Sequence, residues 1–232
     1  MRLEFEVSEA EAVERDFGPQ VADPLGMSWE LTPAAARPRV AILCSREGHC
    51  LFDLLFRARA GELPGEVAGV VSTTDAHAEH VRSLGFPYHH VPVERDGMPA
   101  HEGRLLELLA GEVELVVLAR YMRVLSGGFL SALEAPAINI HHSFLPAFPG
   151  AEPYQRAHAR GVKLIGATAH YVTEELDAGP IIEQDVVRVS HRDGVEDLRR
   201  LGRDVERVVL ARAVRAHLEG RVVRWGERTL VF

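Results

Sequence analysis

The run "VELVVLA" at residues 113–119 decides the fold. Six of its seven residues are apolar, and Glu114 is the exception. A strand with one face in water alternates apolar and polar side chains, because successive side chains point to opposite faces. A near-continuous apolar run of this length belongs to a strand covered on both faces, and double cover is the habit of parallel sheets wrapped by helices.

The flanking sequence supplies that wrapping. Upstream, "RVAILCS" (39–45) reads as a buried strand, and "HCLFDLLFRARAG" (49–61) has apolar residues at helical spacing and stops at a glycine. "EVAGVVSTT" (66–74) is a second strand, "DAHAEHVRSLG" (75–85) a helix capped by Asp75, "YHHVPV" (88–93) a third strand and "HEGRLLELLAG" (101–111) a further helix. Downstream, 122–133 reads as helix and "PAINIHH" (136–142) as a fifth strand. The alternation predicts an α/β fold, a Rossmann-like, mostly parallel sheet with helices on both faces. The last third differs. "LIGATAHYVT" (164–173) and "PIIEQDVVRVS" (180–190) are joined by the short "EELDAG" (174–179), which predicts a hairpin. A long helix over 193–218, capped by Asp193, and two short strands around Gly226 complete the pattern.

The first 33 residues form a separate segment. "RLEFEV" (2–7) and "MSWEL" (27–31) alternate like half-buried strands, and Ser8 with Glu11 has capping-box spacing between them. The segment predicts a β-α-β unit over 1–33, a linker over 34–38 and a main domain over 39–232. One such unit has too little apolar face to stand alone, so it should dock on a surface of this chain or of another copy, and the second choice predicts a homo-oligomer.

Composition excludes several classes. The 232 residues carry a formal net charge of −8, the wrong sign for nucleic-acid binding. No apolar run is long enough to span a bilayer and Met1 opens no signal peptide, so a cytoplasmic protein without a membrane partner is expected. Cys44 and Cys50 are the only cysteines, too few for a disulfide framework. Neither GxGxxG nor a Walker-type loop occurs, so no dinucleotide or ATP cofactor is expected. The histidine pairs at 89–90 and 141–142 lack HExxH or CxxC company, so no metal is expected. Cys50 beside His49 has the form of a nucleophile at a helix start, but a buried thiol on the first helix fits the pattern as well. Lys163 is the only lysine, and the sequence assigns it no role.

The polar end of the fifth strand carries the chemistry. In "INIHHSFLPAFPG" (138–150), alternation puts Asn139 and His141 on one face, with Ile138, Ile140 and His142 on the other. They lie at the carboxyl edge of the sheet, where open α/β sheets bind ligands. A polar strand end bonded to nearby backbone would look the same. Pro146, Pro149 and Pro153 stiffen the loop that follows, which suits a cleft of fixed shape. The hairpin tip adds Glu174, Glu175 and Asp177. A carboxylate there could favour a nearby imidazolium or hold a water, and a solvated acidic turn would read identically.

Three motifs resolve the ambiguity by resemblance. "VVLARYMRVLS", "INIHHSFLPAFPGAEPY" and "KLIGATAHYVTEELDAGPIIEQD" occur in this order and resemble the formyltetrahydrofolate deformylases, hydrolases of the formyltransferase superfamily. The resemblance covers residue 39 to the C-terminus. It implies a catalytic set of Asn139, His141 and Asp177 with His170 in support. It also implies a folate pocket formed by Met122, Arg123, Val124, Leu125, Val172, Glu174 and Glu175. The implied reaction is hydrolysis of 10-formyltetrahydrofolate to formate and tetrahydrofolate, feeding formate to purine synthesis and balancing folate pools, with no cofactor or metal. Residues 1–33 resemble only the second half of the ACT-type domain of that family, so a weak response to amino acids is expected. The alternative within the superfamily is formyl transfer to an amine such as glycinamide ribonucleotide. A phosphorylated acceptor needs backbone amides freed by glycines, and "SREGHCLFDLL" (45–55) offers one glycine beside Arg46, Glu47 and His49.

Overall fold

A computed structural model describes residues 2–7, 10–94, 97–146 and 153–232. The chain divides into two units, residues 1–36 with Phe232, and residues 37–231.

The first unit holds helix α1 (Ala10–Phe17), a π turn (Gly18–Ala22) and a 3-10 turn (Asp23–Leu25) that ends on Gly26 at φ +60°. Trp29 packs edge-on against Phe17, with centroids 5.0 Å apart. The expected strands at 2–7 and 27–31 do not form, so the predicted β-α-β, ACT-like arrangement is corrected to a helical one. A strand exists only where its N–H and C=O groups find a partner strand, and no described segment of this unit supplies one. The alternating Leu3, Phe5 and Val7 are all exposed. The proposed cap Ser8 lies outside the described residues.

The second unit contains one seven-stranded sheet in the order β3-β2-β1-β4-β5-β6-β7. Its strands are β1 (Arg39–Cys44), β2 (Glu66–Ser72), β3 (Tyr88–His90), β4 (Leu115–Ala119), β5 (Ala137–His141), β6 (Leu164–Tyr171) and β7 (Ile181–Arg188). The first five run parallel. β6 pairs antiparallel with both β5 and β7. β8 (Val222–Trp225) and β9 (Arg228–Val231) form a separate hairpin.

Every residue of β4 is buried, and its alternation divides the core in two. Leu115, Val117 and Ala119 join Ile42, Ile138 and Ile140 under α2 (His49–Arg59) and α7 (Val195–Leu218). Val116 and Leu118 join Ala41, Leu43 and Val71 under α4 (Gly97–Leu109) and α5 (Gly127–Leu133). α3 (Ala78–Ser83) and α6 (Pro153–Arg160) complete the helices. Each Leu or Val buried this way contributes about 1.5–3 kcal/mol over an exposed one.

Three helix boundaries depart from the sequence pattern for local reasons. The helix expected over 122–133 begins only at Gly127. Arg120 and Met122 adopt left-handed φ of 63° and 58°, which a helix cannot accommodate, and Ser126 caps the later start by accepting from Phe129 N at 3.1 Å. Asp193 does not cap α7. Its carboxylate is taken by the Ser190 N–H at 2.6 Å, so Gly194 stands at the N-cap and Asp197 accepts from its N–H at 3.1 Å. α3 starts after His77, and Asp75 serves it through its backbone carbonyl, which accepts from Ala78 N.

One core contact carries a pH dependence. His217 on α7 accepts a hydrogen bond from the Tyr171 hydroxyl at 2.7 Å through Nδ1. Burial, helped by the Arg224 charge, pushes its imidazole down to about 4. An unfolded imidazole titrates near 6.5, so between those values only the unfolded chain takes up the proton. Stability is intact above that window and declines as pH falls through it. Across the whole window the loss is on the order of 3 kcal/mol. We expect the urea midpoint to fall from pH 7 to pH 4.5, and to fall less in His217→Gln, which still accepts from Tyr171 without titrating. Equal slopes in the two proteins would remove His217 from the account.

Candidate active site

The site is assembled where the sheet changes direction. Asn139 and His141 occupy the last turn of the pleat in β5 on the face opposite Ile138 and Ile140, which lie in the core. The antiparallel register sets His170 of β6 directly opposite Asn139. The β6–β7 connection then folds Asp177 back toward both. Asp177 adopts φ 57°, a left-handed conformation that Asp tolerates better than most residues. Gly179 follows, where a Cβ atom would meet the Tyr171 carbonyl oxygen at 1.8 Å. Only glycine permits that approach.

The hydrogen bonds define the protonation pattern. The Nδ1 of His141 lies 3.2 Å from Asp177 Oδ2, so this nitrogen carries the proton and donates to the carboxylate. His141 Nε2 is buried and has no partner. His170 Nδ1 donates to the Tyr171 carbonyl at 2.9 Å, leaving Nε2 to accept from Asn139 Nδ2 at 3.3 Å. The second Asp177 oxygen stands 3.7 Å from His170 Nε2. The hydrogen bond from His141 is the first cause that holds the Asp177 carboxyl well below the usual carboxylate range, against the opposing effect of burial.

An open cleft lies against this cluster. Asn139, His170 and Asp177 line it together with Arg123, Val124, Leu125, Val172, Glu174 and Glu175. Leu118, Thr173 and Leu176 line it too, and nothing in the pattern of the sequence singled them out. Met122 is not on its wall and is 60% exposed. His141 is not on it either, being 4% exposed and engaged with Asp177.

A second polar cluster is buried on the other side of β5. Glu206 of α7 is 1% exposed and accepts from Tyr154 at 2.7 Å and from His49 at 2.8 Å. Arg120, 8% exposed, lies 3.5 Å from both Glu206 and Glu47 and donates to His142 Nδ1 at 2.7 Å. Burial, then the Arg120 charge, pushes His142 down to about 4, so it stays neutral at pH 7. Burial alone would raise the Glu206 carboxyl, but the His49 hydrogen bond and the Arg120 charge outweigh it and hold it low. No sequence signal pairs Arg120 with a residue 86 positions away. Tyr154 reaches Glu206 across α7 at Gly202, where a Cβ would meet its hydroxyl at 1.9 Å.

Among the described residues, one group has metal-ligating atoms in reach of each other, His49, Cys50 and Glu206. Its chemistry does not suit a cation. Glu206 already faces Arg120, and burial pushes the Cys50 thiol well above its ordinary value, keeping it protonated. The same burial removes Cys50 as a nucleophile. His89, His90 and Lys163 are exposed.

Comparison with known proteins agrees with this geometry. Residues 38–214 match the formyl transferase family model. The chain is 58% identical over 220 residues to a formyltetrahydrofolate deformylase of Mycobacterium bovis, covering 95% of this chain and 71% of that protein. It is similar to the crystal structure of a formyltetrahydrofolate deformylase from Pseudomonas syringae pv. tomato, with TM-score 0.92 and 48% identity over 97% of this chain and 75% of that one. It is also similar to a glycinamide ribonucleotide transformylase from Symbiobacterium toebii, with TM-score 0.79 and 36% identity over 88% and 98% of the two chains. No helix among the described residues is long and apolar enough to cross a membrane. A parallel sheet with an antiparallel end, an Asn-His-Asp cluster at that end and these likenesses have one explanation: the chain belongs to the formyl transferase family and, within it, to the formyltetrahydrofolate deformylases.

Proposed function

We propose that this chain hydrolyses 10-formyltetrahydrofolate to formate and tetrahydrofolate, with Asn139, His141 and Asp177 as the reacting set. The unpartnered Nε2 of His141, in an imidazole whose other nitrogen is bonded to Asp177, is the observation that carries the reading. That nitrogen carries the lone pair of the ring, because the ring proton sits on Nδ1. The folate lies in the cleft formed by Arg123, Val124, Leu125, Val172, Glu174 and Glu175.

The chemistry then follows. Water attacks the formyl carbon and its proton passes to His141 Nε2. Asp177, held ionised, is a poor base, and its part is to fix the imidazole through Nδ1 and balance the imidazolium that forms. The carbonyl π electrons move to oxygen, where Asn139 donates a hydrogen bond beside the new positive charge. Preorganised donors of this kind contribute about 3–4 kcal/mol each. On collapse, the C–N bond breaks, its electrons go to the folate nitrogen, and His141 returns the proton there. The sequence of steps calls for no metal or cofactor. Formate released this way would supply purine synthesis in the cytoplasm and return tetrahydrofolate to the one-carbon pool.

One feature supports water over a phosphorylated amine as acceptor. Glu47, in the loop after β1, lies 3.5 Å from Arg120, 3.6 Å from His49 and 3.9 Å from Arg203, so these side chains are engaged and its charge opposes a phosphate, while Arg46 is the exposed cation of that loop.

We further propose that the first unit is stabilised against a second copy of the chain. Its described residues bury only Gly18 and Ala22, while Leu3, Phe5, Val7, Leu25 and Met27 are exposed. An apolar surface of this kind marks an association face.

Three measurements check these readings. His141→Ala and Asp177→Asn should each lower the rate of formate release at least about 100-fold with folate affinity nearly unchanged, because both groups act on the transition state. Near-normal turnover in Asp177→Asn would remove the mechanism. With 10-formyltetrahydrofolate and glycinamide ribonucleotide supplied together, formate should dominate, and a majority of formylated nucleotide would replace hydrolysis by transfer. Light scattering should return a mass of two or more chains, whereas a monomer with an ordered N-terminal unit would overturn the association.

A further inference from the structure

The segment between β4 and α5 has an unusual construction. Its centre, Met122 to Val124, is exposed, yet both of its ends are held by buried polar side chains of α4. At the far end, Glu102, 9% exposed, accepts from Ser126 N at 2.7 Å with one oxygen and from Ser126 Oγ at 2.7 Å with the other. At the near end, His101, fully buried, donates from Nδ1 to the Pro92 carbonyl at 3.3 Å. That leaves its Nε2 to accept from the Tyr121 hydroxyl. The Tyr121 carbonyl accepts from Ser45 Oγ in turn. Between the clamps, Leu125 is 4% exposed and packed into the core.

A surface segment gains nothing from a buried carboxylate unless its position matters. Glutamate is seldom buried, and its desolvation is costly unless hydrogen bonds replace the water. Here both oxygens serve one residue, Ser126. The clamped segment is also strained, with left-handed φ at Arg120 and Met122, and such conformations persist only where the surroundings over-determine them. What it presents is a wall of the cleft, Arg123, Val124 and Leu125, facing Val172 and Glu174 from the hairpin.

We propose that Glu102 and the His101–Tyr121 pair are positioning residues for the folate: they hold the 121–126 segment in its binding shape before the substrate arrives, and they touch neither the substrate nor the reacting atoms. This rests on the hydrolase reading for the identity of the ligand. Preorganisation acts on binding, because a wall that must be ordered by the ligand subtracts the ordering cost from affinity. The reacting set lies on β5 and on the β6–β7 turn, and it does not depend on α4 for its geometry. Loss of the clamp therefore raises KM and leaves kcat nearly intact.

The test compares Glu102→Ala, Glu102→Gln and Tyr121→Phe with the wild type in full-length protein. Formate release gives kcat and KM, quenching of intrinsic fluorescence gives tetrahydrofolate affinity, and urea midpoints give stability. For Glu102→Ala we expect KM to rise about tenfold, tetrahydrofolate affinity to fall by a similar factor and kcat to stay within about threefold. Glu102→Gln keeps one accepting oxygen and should recover part of the loss. Tyr121→Phe removes only the hydroxyl and should move KM in the same direction. A lowered urea midpoint with unchanged KM and affinity in the variants would make the clamp merely structural and overturn the proposal. So would a fall in kcat at constant KM. If Glu102→Ala does not fold, the other two variants decide. If the wild type releases no formate, the hydrolase reading fails by itself, and the tetrahydrofolate affinities still decide whether the clamp shapes the pocket.

Discussion

The antiparallel pairing of β6 with β5 is the constraint on which the site depends. A sheet that continued parallel would need a helical crossover after β5, and the next strand would run alongside with its own C-terminal half beside Asn139 and His141. Reversal instead sets His170 opposite Asn139. It also lets a short turn, closed at Gly179, return Asp177 to the same edge. One change of strand direction thus gathers four polar groups from three separate stretches of chain. Its requirement is local: a left-handed aspartate and a glycine with no room for a side chain.

Once gathered, the groups sort their protons by what each nitrogen already touches. The Tyr171 carbonyl can only accept, so it fixes His170 Nδ1 as a donor and Nε2 as the acceptor from Asn139. Asp177 fixes His141 Nδ1 as a donor in the same way. What is left over is the His141 Nε2 without a partner, in a ring bonded through Nδ1 to a carboxylate that this hydrogen bond keeps ionised. On the opposite side of the strand, Arg120 bonds His142 and burial keeps that ring neutral. The adjacent histidines are thereby placed in different electrostatic settings, although their sequence context is the same.

These arrangements are rigid because the sheet beneath them is covered on both faces. Side chains of β4 alternate between two cores, one under α2 and α7 and the other under α4 and α5. The second of these helix pairs has a further task, since α4 also sends Glu102 and His101 to the loop that walls the cleft. Packing and positioning are carried by the same helix through different residues, Leu105 and Leu109 for the first and Glu102 for the second.

The sequence alone determined the doubly covered sheet, because apolar periodicity is a local property. Seven apolar or alternating runs with their separators suffice to specify strands, helices and a terminal hairpin. It also placed Asn139 and His141 on one face at a sheet edge, since alternation along a strand is obligatory. The acidic tip at 174–177 was legible as a turn, but which of its carboxylates meets a histidine was not. That choice rests on the left-handed φ of Asp177 and on strand register. Nor could the sequence show that the described residues of the first unit lack strands, since a strand needs a partner and a partner is not a property of the strand itself. The buried ties of Arg120 to Glu206 and of Glu102 to Ser126 were likewise invisible. They join residues 86 and 24 positions apart, and no periodicity records a contact that only folding brings into range.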